Sequence, residues 1–197
     1  MTGITAILLA AGLSKRFGPD NKLLKHIDGE PVVRRVAKAL CASKAGRVVV
    51  VLGHEADQVE SALSGLPVET VINLNFSDGQ VSSVRVGVAA VGNDTDGFMM
   101  CLADQPLLAP ADYDGLIDAF TNQPDHVLVP YLSGKRGNPV ILPIALRDDI
   151  LLGGVNVGCR TFIDTHPELV RRYDVSNPGF RNDFDTPDDF SALQETI

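Results

Sequence analysis

The chain has 197 residues, the size of one domain, and 45% of them are hydrophobic, so a sizeable core can form and global disorder is excluded. A net charge of −8 argues against a protein that coats nucleic acid, which needs a basic face. The longest apolar runs, such as Arg47–Leu52 and Gly97–Leu102, fall well short of the roughly 20 residues of a membrane span.

Strand and helix patterns alternate along the chain. Ile4–Ala10 (ITAILLA) reads as a buried strand ended by Ala11-Gly12. Pro31 suits the first position of a helix over Val32–Ser43, whose apolar residues recur at helical spacing. Arg47–Leu52 is a continuous apolar strand, and Glu55–Ser64 is an amphipathic helix. Val68–Asn73, Val81–Val91 and Gly97–Leu102 follow as strand, helix and strand. Asp112–Phe120 is helical, and His126–Tyr131 and Pro139–Leu142 are strands flanking the Gly-rich turn Ser133–Asn138. Cys159–Thr165 reads as a helix, Leu169–Val175 as a strand, and Pro187–Thr196 as a closing helix capped by Thr186 or Asp185. Continuous apolar strands separated by helices predict one α/β domain over 1–197. Its central sheet is mostly parallel, with helices on both faces.

Three cysteines, Cys41, Cys101 and Cys159, are odd in number, widely spaced and without a CxxC pair. Reduced thiols are expected, with Cys41 and Cys101 as small core residues. The opening MTGITAILLAAG has no basic stretch of the signal-peptide kind, so a cytoplasmic location is the expectation.

The segment after the first strand, Leu8–Leu24 (LLAAGLSKRFGPDNKLL), joins small residues to cations. In an open α/β sheet, ligands bind beyond the carboxyl ends of the strands. Ala10, Ala11 and Gly12 let the backbone approach a ligand closely, and successive N–H groups can cradle phosphate oxygens. Arg16 and Lys22 can neutralise a triphosphate. Glycine spacing excludes both a Walker A loop and GxGxxG.

Two acidic positions stand out. Asp104 closes the strand Gly97–Leu102 through Ala103, and either holds a hard cation or caps the helix that follows. In DFDTPDDF, Asp183 and Asp185 alternate around Phe184 and share one face of an extended segment. Asp188 and Asp189 suit a helix N-terminus. Further along the middle of the chain, Asn75–Val88 (NFSDGQVSSVRVGV) places Gly79, Ser82 and Ser83 at a helix start, a place to bind an anion or a base edge. His54 follows Gly53 at a strand end and carries no assigned role, and His26, His126 and His166 share no metal-binding spacing.

Taken together, these segments resemble the nucleotidyltransferase superfamily that includes the molybdenum cofactor cytidylyltransferases. LAAGLSKRFGPDNK is similar to its LAAGxSxRMGxxK signature, with Phe17 in place of Met. LADQP and DFDTPDDF look like its GDQP and DIDTPEDL, and NFSDGQVSSVRVGV like its GMSSSLRAGL region. SGKRGNPVIL resembles its G-x-x-GxPVLF element, and VNVGCR its GDxGAR with Asn156 in place of Asp. The resemblance runs from Ile4 to about Gln194 in the family's order and implies a Rossmann-like nucleotidyltransferase fold.

It also implies roles. Leu9, Ala10, Ala11, Gly12, Ser14, Gly79, Ser82 and Ser83 would bind the nucleotide. Asp104 and Asp185 would hold Mg²⁺ or Mn²⁺, with Asp183 the second choice to Asp185. Arg16, Lys22 and Asp104 would serve catalysis, and Gly137, Asn138, Pro139 and Arg160 would border the acceptor. Ala11 stands where guanylyltransferases of the superfamily usually carry Gly, which leans toward a pyrimidine base. The implied reaction moves CMP from CTP to the molybdenum-bound pterin phosphate and releases pyrophosphate. A molybdoenzyme of the xanthine dehydrogenase class, or its maturation chaperone, would be the partner. Such transfer needs positioning and charge stabilisation rather than a protein nucleophile, and no Ser-His-Asp or Cys-His set is evident.

Three rivals stay open: a guanylyltransferase or a sugar or polyol phosphate nucleotidyltransferase; a non-catalytic nucleotide-binding chaperone; and an oxidoreductase, which lacks GxGxxG and an acidic ribose anchor here.

Overall fold

The computed structural model of the chain describes residues 3–18, 20–152 and 160–194, the side chains of 160–162 excepted. In chain order the strands are β1 (Ile4–Ala10), β2 (His26–Ile27), β3 (Glu30–Pro31), β4 (Arg47–Leu52), β5 (Glu69–Ile72), β6 (Gly97–Leu102), β7 (Val127–Leu132), β8 (Lys135–Arg136), β9 (Val140–Pro143) and β10 (Val170–Val175). The helices are α1 (Val32–Cys41), α2 (Ala56–Ala62), α3 (Gln80–Ala89), α4 (Pro110–Thr121), α5 (Arg147–Leu151), α6 (Arg160–Thr165) and α7 (Pro187–Gln194).

The main sheet runs in the order β5-β4-β1-β6-β9-β7-β10, with β8 paired to β7. β1 pairs in parallel with both β4 and β6, β4 with β5, and β7 with β10. Within this sheet, β9, antiparallel to β6 and β7, and the short β8 break the parallel run of the described strands, and β2 and β3 form a separate antiparallel hairpin. The chain leaves β1 toward β4 and β5, then crosses back to place β6 on the other side of β1. That reversal opens a crevice beyond the carboxyl ends of β1 and β6.

Alternation along β1 divides the core. Ala6, Leu8 and Ala10 pack with Val33, Val36 and Leu40 of α1, Val59 of α2, and Tyr113 and Leu116 of α4. Ile7 points the other way, toward Val84 and Val88 of α3 and Ile150 of α5. Both faces are therefore covered, which is why β1 and β4 read as continuous apolar runs. Cys101 is 1% exposed within the first of these clusters, and burial pushes its thiol pKa up, so it is a core residue rather than a nucleophile. Cys41 is half-buried. No described helix is long and apolar enough to cross a membrane.

One boundary differs from the sequence expectation, and one open choice is decided. Pro31 stands one residue before α1 rather than at its first turn, because it also pairs with His26 in the β2–β3 hairpin. The closing helix is capped by Thr186: Asp189 N–H donates to Thr186 Oγ1, and Thr186 N–H donates to Asp189 Oδ2. Cys159 and the VNVGC stretch lie outside the described residues, as does the side chain of Arg160.

Gly87 lies where α3 meets the sheet. A Cβ there would come within 2.4 Å of Ile7 Cγ2 and 3.0 Å of Val51 Cγ2. At an exposed helix position, Gly→Ala stabilises by about 1 kcal/mol. Here overpacking outweighs propensity, and Gly87→Ala is expected to cost about 1–3 kcal/mol in urea unfolding. A gain in stability would contradict this packing.

Candidate active site

The first loop is built to present Lys22. Asn21, 6% exposed, accepts a hydrogen bond from Leu23 N–H on Oδ1 and so caps a single 3-10 turn over Lys22–Leu24. Lys22 N–H donates to Ser14 Oγ at 3.3 Å, which ties that turn back to the loop after β1. Phe17 anchors the same loop from below. Its ring meets Phe184 and Phe190 edge-on, with centroids 5.9 and 6.1 Å apart. These rings belong to a small core cluster with Ile27, Val32 and Leu193, and they pin the C-terminal segment against the loop.

From this platform Lys22 Nζ reaches three acceptors: Asp104 Oδ2 at 2.5 Å, the Phe184 carbonyl at 2.8 Å and Asp185 Oδ1 at 3.0 Å. Arg16 Nη2 lies 2.6 Å from the other Asp185 oxygen. The Lys22 and Asp104 side chains are only 13% and 17% exposed, whereas Arg16 is 71% exposed, so the first pair carries the electrostatic weight. Burial acts to lower the Lys22 pKa, but Asp104 and Asp185 outweigh it and hold the ammonium above its ordinary value. Burial pushes the Asp104 carboxyl up, and Lys22 pulls it only part of the way back while Asp183 adds repulsion.

Asp104, Asp183 and Asp185 each offer an oxygen, and these atoms lie within 4.8 Å of one another. The alternation around Phe184 does place both carboxylates on one side, and Phe184, 2% exposed, is the buried pivot between them. An all-oxygen, acidic donor set fits a hard divalent cation such as Mg²⁺ or Mn²⁺. Asp185 is held in place from behind, its N–H donating to Asp189 Oδ2 at 3.1 Å.

These groups close one end of a cavity of about 430 Å³, within the range of small-molecule sites. Leu9, Ala11, Gly12, Ser14, Arg16 and Lys22 line one wall; Phe76, Ser77, Gly79, Gln80 and Ser83 line another; Asp104 and Asp185 lie in the lining with them. Other residues singled out in the sequence do not line it. Ala10 turns into the core, on the opposite side of the strand from Leu9. The Ser82 hydroxyl donates to the Asn75 and Gly79 carbonyls instead. Gly137, Asn138 and Pro139 pack on the turn at Phe180: Asn138 N–H donates to the Phe180 carbonyl, and a Cβ on Gly137 would sit 2.5 Å from that oxygen.

Sequence reasoning left out three residues that shape the walls. Asn21 orients Lys22, as described, and Phe76 contributes apolar lining. Gly53 permits the close packing of the two walls, because a Cβ there would meet Ala11 Cβ and Phe76 Cβ at 2.7 Å each. The Gly-His pair after β4 is the sequence signal for this close approach.

Removing the Lys22 cation leaves three carboxylates crowded together. Lys22→Ala is expected to lower stability in chelator by about 2 kcal/mol. Manganese should then raise the melting temperature of the variant more than that of the wild type, since the cation replaces the lost positive charge. Equal shifts in a differential scanning experiment would contradict the shared acidic site.

Comparison with known proteins identifies relatives of the chain. The sequence matches the MobA-like NTP transferase domain over residues 6–169. It is 29% identical over 199 residues to the nicotine blue oxidoreductase of Paenarthrobacter nicotinovorans, covering 96% of each chain. It is also 29% identical over 147 residues to the bifunctional protein GlmU of Legionella pneumophila, of which it spans only 31%. The crystal structure of Rv0371c from Mycobacterium tuberculosis H37Rv superposes with a TM-score of 0.84 at 25% identity, covering 98% of both chains. A second structure of Rv0371c, in complex with manganese, gives a TM-score of 0.81 at 24% identity. With the family's domain covering most of its length and its fold, the chain belongs to the MobA-like NTP transferase family.

Proposed function

We propose that this protein transfers CMP from CTP to the phosphate of a molybdenum-bound pterin and releases pyrophosphate. The observation that carries the reading is the convergence of Asp104, Asp183 and Asp185 with Lys22 and Arg16 at the end of a cavity walled by the small-residue loop after β1. An acceptor phosphate is already ionised near neutral pH, so no strong base is needed. The protein's contribution is to hold the two phosphates in line and to stabilise charge on the departing pyrophosphate.

Asp104 and Asp185, joined by Asp183, would hold the divalent cation. When bound, such an ion supplies Lewis-acid polarisation of phosphate oxygens. Amides of the Ala11–Ser14 loop meet the triphosphate, and Gly12 leaves its oxygens room to approach. Arg16, largely exposed at the mouth, is free to swing from Asp185 to the β- and γ-phosphates. Lys22, held between Asp104 and Asp185, fixes the position of both carboxylates and places a second cation near the reacting phosphorus. Ala11 supports a pyrimidine donor, since its methyl occupies space beside Gly53 and Phe76 where a purine-binding relative carries only hydrogen. The manganese complex of Rv0371c supports Mn²⁺ as well as Mg²⁺ as the metal.

A second reading follows from the nicotine blue oxidoreductase, which is similar over nearly the whole chain. It predicts that NADH or NADPH binds and is consumed.

The test is a donor screen with pyrophosphate detection. Purified protein with Mg²⁺ or Mn²⁺ and the pterin cofactor should release pyrophosphate faster from CTP than from GTP, ATP or UTP. Asp104→Asn should lower that rate by roughly 100-fold or more with the circular dichroism spectrum unchanged. Full turnover in the variant would remove the metal argument, and nicotinamide cofactor oxidation without pyrophosphate release would favour the second reading.

A further inference from the structure

Asn73 follows β5 beside the cavity wall and is 1% exposed. Its backbone N–H donates to the Leu52 carbonyl at 2.8 Å and continues the β4–β5 ladder, so its position is set by the sheet. Both ends of its side chain are bonded. Oδ1 accepts from Asn75 N–H at 2.9 Å, and Nδ2 donates to Ser82 Oγ at 2.8 Å and Ser83 Oγ at 3.0 Å. The amide orientation is unambiguous chemically. A backbone N–H can only donate, so the carbonyl oxygen must face Asn75 and the two amide protons must face the two serines.

This arrangement sets the polarity of both hydroxyls. Each serine oxygen receives a proton from Asn73 and keeps its own proton to give. Ser82 gives its proton to the Asn75 and Gly79 carbonyls, which locks the turn before α3. Ser83 is different. It lines the cavity, and among the described residues no protein acceptor takes its proton. A hydroxyl that accepts a hydrogen bond is also a better donor.

We infer that Asn73 is a positioning residue that presents Ser83 to the cavity as a hydrogen-bond donor toward a carbonyl oxygen or an unprotonated ring nitrogen on the facing edge of the nucleobase. This rests on the reading of the cavity as a nucleoside triphosphate site. The cytosine O2–N3 edge meets the requirement. The same network explains why the wall that carries Ser83 needs a buried amide rather than an apolar residue at the end of an edge strand.

Asn73→Asp keeps the shape and reverses the polarity. A carboxylate accepts from Asn75 N–H as before, but it now also takes the protons of Ser82 and Ser83, leaving the Ser83 oxygen as an acceptor toward the base. The N-terminus of α3 and these three donors accommodate the added charge. The experiment is calorimetric titration of the full chain, with Mn²⁺ present, against CTP, GTP and inorganic tripolyphosphate. Asn73→Asp should weaken CTP about tenfold and leave tripolyphosphate unchanged. Ser83→Ala, which removes one oxygen and leaves the core intact, should produce a similar loss. The double variant should be no weaker than either alone, because the two residues act through one hydrogen bond.

Parallel loss of CTP and tripolyphosphate would mark Asn73 as merely structural and overturn the inference. So would independent, multiplying effects of the two substitutions, or unchanged CTP affinity in Ser83→Ala. A wild-type protein that binds CTP more tightly than tripolyphosphate while Asn73→Asp binds CTP as tightly as the wild type sinks the inference alone. A wild type that binds tripolyphosphate but no nucleoside triphosphate more tightly overturns the nucleotide reading and the inference with it.

Discussion

Lys22 Nζ binds groups that the chain delivers from far apart: Asp104 at the end of the central strand β6, and Phe184 and Asp185 in the approach to the last helix. The carboxylate oxygens of Asp104, Asp183 and Asp185 lie within 4.8 Å of one another, and the repulsion between the partly buried pair, Asp104 and Asp185, is relieved by a cation held between them. The ammonium supplies it. Its own position depends on a capped turn, on Asn21 and on the aromatic contacts of Phe17. Loop, central strand and C-terminal segment are thus one electrostatic unit, and the cavity is the space they enclose.

The sheet explains why that unit forms where it does. β1 lies between β4 and β6, so the loops leaving β1, β4 and β6 emerge side by side at the reversal point. The β1 loop brings amides and cations, the β6 loop brings Asp104, and the β4 loop brings Gly53, whose missing side chain lets Ala11 and Phe76 close the gap. The residues after β5 add the second wall through Asn73 and its two serines. Packing on both sheet faces holds these loop origins rigid, so the functional groups are set by the scaffold rather than by the loops themselves.

Much of this was legible in the sequence, for physical reasons that differ by element. The parallel strands showed as unbroken apolar runs because helices cover both sides of the sheet. Asp183 and Asp185 could be placed on one side from alternation alone. The insertion of β9 between β6 and β7 was not legible, since the pairing joins distant segments and depends on register rather than on local pattern. Asn73 was read as the end of a strand, because a lone Asn there looks like turn chemistry until its three partners are seen. Lys22 was expected to face the substrate phosphates; that it also knits two carboxylates together depends on a contact across 163 positions. Gly137, Asn138 and Pro139 were expected at the acceptor; Asn138 N–H is bonded to the Phe180 carbonyl and Gly137 packs closely beside it, a contact between distant segments that the local pattern does not announce.

The central claim is that the acidic trio forms a single cation site that works with a bound nucleotide. Electron paramagnetic resonance of Mn²⁺ titrated into the protein, with and without CTP, tests it most directly. The account predicts loss of the free-ion signal with a single ion bound per chain, tighter when CTP is present, and return of that signal when Asp104 and Asp185 are both changed to Asn. Undiminished Mn²⁺ binding in that double variant, or indifference of the ion to CTP in the wild type, would contradict it.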